Sequence, residues 1–141
     1  MFTNPDPVEL QRILRDTRTV AVVGASNNPA RPSYGVFDYL VRFSDYQLYP
    51  VNPNIAEIDG VPTYPSLAEL PVVPDMVDVF RRQDDLPSVL ADTLALHPRP
   101  KCLWLQQGLW SEPLAEAAQA DGLRVVMDRC LKVDYARLSG R

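Results

Sequence analysis

Four residues within one short span, Gly24, Ser26, Arg31 and Ser33, have the side-chain types that hold a phosphate group. A glycine permits a sharp turn and lets a ligand approach the backbone closely. Serine hydroxyls donate hydrogen bonds, and an arginine presents a planar fork that can meet a phosphate through two N–H groups at once. A helix beginning at Ser33 would aim its free N–H groups and the positive end of its dipole into the same space. The competing reading is a plain strand-to-helix loop in which Ser33 caps the helix and Arg31 is solvated.

Elements must exist to bring these groups together. Thr19–Val23 is a short apolar, β-branched run that stops at Gly24, and it reads as a buried strand. Four more runs read the same way: Gln47–Val51, 76–80, Cys102–Leu105 and 124–127. Helical spacing of apolar residues marks 8–15, a helix capped by Ser33 with Val36, Phe37, Leu40 and Val41 on one face, 66–70, 86–96 and Glu112–Ala120, the last stopped by Gly122. Alternating strand and helix predicts an α/β, Rossmann-like three-layer fold with a five-stranded parallel sheet, expected order 3-2-1-4-5. The whole chain, 1–141, reads as one domain.

In such a sheet every strand ends on the same edge, and ligands bind there. The residues just after the strands then form one crest: the loop from Gly24 to Ser33, Asn52-Pro53-Asn54, Arg81-Arg82, Gln106-Gln107-Gly108, and Asp128-Arg129-Cys130-Leu131-Lys132. Arg31, Arg81, Arg82, Arg129 and Lys132 face one immediate acid, Asp128, which is read as pairing with Arg129. In a chain of net charge −4 that is a local excess of positive charge, so the expected guest is an anion.

Two nucleotide sites fit poorly. A phosphate loop of the G-x-x-x-x-G-K-[ST] type needs a second glycine and a lysine that the span after Gly24 does not have. A dinucleotide site needs G-x-G-x-x-G and an acid near the end of the second strand. Here Ser26 and Asn27 follow Gly24-Ala25, the first acid beyond Asn52 is Glu57, and Asp45 lies at the wrong end of that strand. An NAD(P)-binding, oxidoreductase-like protein is therefore the alternative, alongside a protein-interaction module whose crest docks an acidic partner.

Read in order, Thr19-Val20-Ala21-Val22-Val23-Gly24-Ala25-Ser26, Arg31-Pro32-Ser33, Tyr49-Pro50-Val51-Asn52-Pro53, Val77-Asp78-Val79-Phe80-Arg81 and Val126-Met127-Asp128-Arg129-Cys130 resemble the small stand-alone CoA-binding proteins. These are relatives of the CoA-binding domain of the succinyl-CoA synthetase alpha subunit, and the likeness spans about 8–138. The resemblance implies that Gly24, Ala25, Ser26, Arg31 and Ser33 hold the diphosphate of coenzyme A. It implies that Asn52 and Pro53 border the adenosine, and that Phe80 and Arg81 line the adenine or 3′-phosphate side. Gln107 and Gly108 would face the pantetheine arm, with Met127 and Arg129 closing the pocket. Phe80, Leu109 and Trp110 would suit the apolar part of that arm.

The remaining features narrow the class. A net charge of −4 and a pI near 4.9 oppose a nucleic-acid partner, whose backbone needs a broad basic face. No apolar run approaches the roughly 20 residues that span a bilayer. The start, Met1-Phe2-Thr3-Asn4-Pro5, has neither a basic region nor an apolar signal core, which points to the cytoplasm. The 14 prolines are scattered, so they punctuate loops rather than mark a disordered linker. Cys102 and Cys130 fall at opposite ends of neighbouring strands, too far apart for a disulfide, and both are expected free. His97, Cys102 and Cys130 have no metal-ligand spacing, so no metal is expected. The synthetase relatives act through a histidine on a further domain. His97, the single histidine, is placed at a helix end away from the crest. The expectation is a binding or regulatory module without catalytic residues, its small-molecule partner CoA or an acyl-CoA. Cys130 is the one candidate nucleophile, against the plainer reading of a half-buried thiol. Protein partners and self-association stay open.

Overall fold

The computed structural model describes residues 1–139. Five strands form one parallel sheet: β1 (Thr19–Val23), β2 (Gln47–Val51), β5 (Met76–Val79), β6 (Cys102–Leu105) and β7 (Arg124–Val126). Between β2 and β5 the chain makes a small antiparallel hairpin, β3 (Glu57–Ile58) and β4 (Val61–Pro62). Helices α1 (Pro7–Asp16), α2 (Pro32–Phe43) and α5 (Leu131–Leu138) cover one face; α3 (Leu86–Leu94) and α4 (Glu112–Ala120) cover the other.

The period of two along each strand builds the two cores. Val20, Val22, Met76, Cys102, Trp104 and Val126 point to the first helical layer, where they meet Leu10, Ile13, Leu14, Phe37, Leu40 and Tyr135. Their neighbours Ala21, Val23, Val77, Val79, Leu103, Leu105 and Val125 point to the second, against Leu86, Val89, Leu114 and Ala118. The expected class, a three-layer α/β fold around a five-stranded parallel sheet, is what the chain forms.

The strand order is β2-β1-β5-β6-β7. Counted along the sheet's own strands this is 2-1-3-4-5, where 3-2-1-4-5 had been expected. The third strand pairs with β1, Val20 opposite Met76 and Val23 opposite Val79, instead of lying outside β2. Pro50 supplies the reason. Proline donates no ladder hydrogen bond and is confined to sheet edges, and β2 is only half buried while β5 is buried throughout. The free side of β2 takes Tyr64 instead: the Tyr64 N–H donates to the Pro50 carbonyl at 2.9 Å and the Asn52 N–H to the Tyr64 carbonyl at 2.9 Å. The switch in winding direction thus falls between β1 and β5, which fixes where a ligand crevice opens.

Other boundaries shift by small amounts. Helix α2 begins at Pro32, with Arg31 as its cap residue, so Ser33 sits inside the first turn and does not cap. Proline is preorganised for a first helical position, which sets the start there. The 66–70 helix shortens to a 3-10 turn, Leu67–Glu69, and 86–96 ends at Leu94. Helix α5 and the β3–β4 hairpin were not anticipated. No helix of the described residues is long and apolar enough to cross a membrane.

Candidate functional site

The carboxyl edge of the sheet carries two hollows that share a floor. One, of about 680 Å³, opens over the ends of β1, β2 and β5 and is lined by residues including Val23, Asn52, Pro53, Arg82 and Asp85. The other, of about 560 Å³, runs from the start of α2 toward the start of α5 and is lined by residues including Ala25, Ser26, Ser33, Gln107, Gly108 and Cys130. Gly24, Arg31, Asn52, Phe80 and Arg81 line both. Of the thirteen positions singled out in the sequence, eleven therefore converge on one continuous crevice.

Gly24 closes the seam between β1 and β5. Its φ of +84° lies in the left-handed region, and a Cβ placed there would stand 2.1 Å from the Phe80 carbonyl oxygen. Only glycine fits. The N–H groups of Gly24 and Ala25 both point to the Val51 carbonyl, at 3.0 and 3.3 Å. These two residues shape the crevice, and their N–H groups are already engaged within the fold.

The loop between Gly24 and α2 is held by its own short side chains. Ser26 Oγ accepts from the Asn28 N–H at 3.0 Å, Asn28 Oδ1 accepts from the Ala30 N–H at 3.0 Å, and the Arg31 N–H donates to the Asn28 carbonyl at 2.9 Å. Such local turns fix the backbone that delivers Arg31 to the crevice. The Arg31 side chain is exposed and makes no ion pair among the described residues. No side chain caps the start of α2, where Ser33 is 3% exposed and faces the second hollow. Asn52 clamps the opposite wall: its Nδ2 donates to the Ala25 carbonyl at 2.7 Å, and its Oδ1 accepts from the Asn54 N–H at 2.7 Å.

Charge is unevenly distributed between the hollows. The first holds Arg31, Arg81 and Arg82 but also Asp85 and Asp92, and Asp85 lies 3.3 Å from Arg81 and 3.9 Å from Arg82. In the sequence Asp84-Asp85 reads only as the solvated start of a helix; the fold turns Asp85, the cap residue of α3, onto the crest arginines, and Asp92 reaches the same hollow from within α3. The second hollow is lined by Arg31 and Arg81 with no acid at all. An anion entering it meets Arg31, which has no carboxylate partner among the described residues, the positive end of α2, and Arg81, whose guanidinium it shares with Asp85 of the first hollow.

Two expected site residues, Met127 and Arg129, lie elsewhere. Met127 is fully buried in the core beneath α4, its backbone held by Asn4 through 2.8 and 2.9 Å bonds and its sulfur accepting from the Ser111 N–H. Arg129 turns away to Asp134, which is 2% exposed, through bonds of 2.6 and 2.8 Å; that bond raises the Arg129 pKa. A buried carboxylate on an unanticipated helix outcompetes the solvent-facing crevice for this guanidinium. Asp128 does not pair with Arg129 as expected. Its Oδ1 accepts from the Gly108 N–H at 2.7 Å and fixes the Gln107-Gly108 turn. Lys132, in the first turn of α5, also leaves the crest: its ammonium lies over the ring of Tyr39 on α2, 5.3 Å from the ring centre.

Gln106, counted in the crest but given no role by the sequence, organises the far wall. It is buried, and its Oε1 accepts from the Leu131 N–H at 3.1 Å, holding the start of α5 beside the hollow. Trp104, fully buried, adds a bond from Nε1 to the Arg129 carbonyl at 2.8 Å. Trp110 is 40% exposed and packs edge-on to Phe2. Both cysteines are free, and burial pushes the Cys102 thiol pKa up. His97 is exposed beyond the end of α3, its Nδ1 3.0 Å from Arg99 Nη1. Among the described residues no cluster of His, Cys, Asp and Glu is placed to hold a metal ion.

Comparison with known proteins finds relatives across most of the chain. Residues 18–136 match the family model described as a CoA binding domain. The protein YneT of Bacillus subtilis is 38% identical over 133 residues, covering 94% of this chain and 96% of its own. A 54-residue stretch, 38% of the chain, is 43% identical to the alpha subunit of ADP-forming acetate–CoA ligase II from Pyrococcus furiosus, of which it spans 12%. Among solved structures, the Thermus thermophilus protein of cell-free target ID.343 superposes with a TM-score of 0.87 at 37% identity, covering 95% of this chain and 99% of that one.

Proposed function

The chain belongs to the CoA binding domain family, and on that premise we propose that it binds coenzyme A or an acyl-CoA in the crevice over the carboxyl ends of β1, β2 and β5, as a binding or regulatory module without a reaction of its own. The observation that carries the proposal is the second hollow, whose lining contains Arg31, Arg81 and the open start of α2 but no acidic side chain. A diphosphate is the natural occupant of such a space. Arg31 reaches both hollows from a loop built to hold it and would meet the diphosphate. Ser33, in the first turn of α2, would donate its hydroxyl beside it.

The adenosine falls to the first hollow in this reading. Asn52 and Pro53 form one wall, Phe80 gives a flat apolar surface, and Arg81 and Arg82 stand where a 3′-phosphate would lie. The pantetheine arm then runs through the second hollow past Gln107, Gly108 and Leu109. Calorimetric titration tests the proposal. CoA and acetyl-CoA are expected to bind at one site, with NAD far weaker, because NAD lacks the 3′-phosphate and the crevice offers no acid to its ribose in the expected place. Equal or tighter NAD binding would transfer the assignment to the dinucleotide reading.

A further inference from the structure

We propose that Cys130 is a covalent attachment point for coenzyme A, its sulfur exchanging with the disulfide form of the cofactor to give a protein–CoA mixed disulfide. The inference rests on the CoA-binding reading and deepens it by assigning chemistry to the far end of the crevice.

The placement is directional. Coenzyme A carries its phosphates at one end and its thiol at the other. Along the sheet edge Arg31 and the start of α2 follow β1, whereas the turn Gln106–Leu109 follows β6 and Cys130 follows β7, and all of them line the second hollow. Cys130 is the one sulfur-bearing residue in that lining, is partly exposed, and sits at the cap position of α5 without making a side-chain capping bond. Its backbone is fixed from both sides, because the next N–H, of Leu131, is held by Gln106 and the preceding carbonyl, of Arg129, by Trp104. A second feature marks the same hollow as a ligand site: Ser33 is 3% exposed, faces into it, and its hydroxyl has no hydrogen-bond partner among the described residues. Cys102, by contrast, is 2% exposed at the start of β6 on the opposite edge of the sheet and cannot be reached.

The step is a thiol–disulfide exchange. The Cys130 thiolate attacks one sulfur of CoA disulfide; the Cys130–CoA bond forms as the CoA–CoA bond breaks. The departing CoA thiolate takes up the equivalent of the proton that Cys130 released. No oxidant beyond the disulfide itself is needed, and a thiol reductant reverses the step by the same route.

The test uses the full chain, reduced and then desalted, incubated with CoA disulfide or with oxidised glutathione, and followed by intact mass spectrometry and peptide mapping. The expected product gains one CoA less two hydrogens, maps to Cys130, is removed by dithiothreitol and is absent in Cys130→Ser. Because binding through the phosphates would raise the local concentration of the disulfide, CoA disulfide should react at least about tenfold faster than oxidised glutathione at equal concentration. Equal rates for the two disulfides, or an adduct on Cys102, would overturn the proposal. So would the absence of adduct in a protein that binds reduced CoA by calorimetry; if that binding is itself missing, the CoA reading falls with it.

Discussion

A methyl group on Gly24 would stand 2.1 Å from the carbonyl oxygen of Phe80, so the turn after β1 and the end of β5 are in backbone contact across the seam where the sheet changes winding direction. This contact makes the floor shared by both hollows. Gly24→Ala must push the two strands apart and also place a side chain at φ +84°. Overpacking and a left-handed alanine together are expected to cost about 2–4 kcal/mol, read as a lower urea midpoint. Gly35→Ala is the contrasting case. It lies in α2 with nothing within 4 Å of its would-be Cβ, and should gain about 0.5–1 kcal/mol from helix propensity.

Arg31 and Arg129 should behave oppositely. Arg31→Ala removes an unpaired guanidinium from both hollows and should weaken CoA binding by about 1.5–3 kcal/mol, the worth of a charged hydrogen bond, with almost no change in thermal midpoint. Arg129→Ala leaves the 2%-exposed Asp134 with Arg137 alone, 3.2 Å away. Stability should fall by about 1–3 kcal/mol, discounted because Arg129 is partly exposed, while CoA affinity of the folded protein holds. Paired calorimetry and denaturant titration distinguish the two effects.

Asp78 carries the pH dependence. It is fully buried in the centre of β5, neither carboxylate oxygen has a hydrogen-bond partner, and burial raises its pKa well above the usual value. The native state therefore holds this proton to higher pH than the unfolded chain does. The contribution is fully present below the unfolded pKa and is lost as pH climbs from there through the raised folded pKa. Asp78→Val removes both the unmet polar group and this dependence. The variant's advantage over the parent, about 1–3 kcal/mol at pH 8, should shrink toward pH 4 when both are unfolded with urea. An advantage that grew on acidification would reverse the assignment.

Tyr34 ties α2 to the tip of the hairpin: its hydroxyl donates to Asp59 Oδ2 at 2.6 Å, and this bond raises the phenol pKa. The pair is exposed, so Tyr34→Phe should cost less than about 1 kcal/mol. Because the hairpin lies beyond both hollows, CoA affinity should be unchanged within error by calorimetry.

Much of the site was legible because its signals are local. Apolar runs ending at Gly24, Asn52, Arg81 and Gln106 fixed four strand ends, and parallel winding placed those ends side by side. What escaped was set by distant partners. Nothing near Arg129 in the sequence says that Asp134 will be buried, because that depends on α5 packing against α1 and α2. The short, weakly amphipathic run after Cys130 gave that helix no clear signature of its own. The strand order did carry a signal, Pro50, whose missing N–H marks β2 as an edge. The roles of Asn52 and Gln106 as clamps depend on carbonyl and N–H groups of other loops, and no single-sequence pattern carries those.

A crystal structure of the protein grown with coenzyme A tests the central claim most directly. The account predicts the diphosphate beside Arg31 and Ser33, the adenosine against Phe80 and Asn52, and the thiol end near Cys130. A cofactor bound on any other face, or with Arg31 and Arg81 turned away from its phosphates, would contradict it.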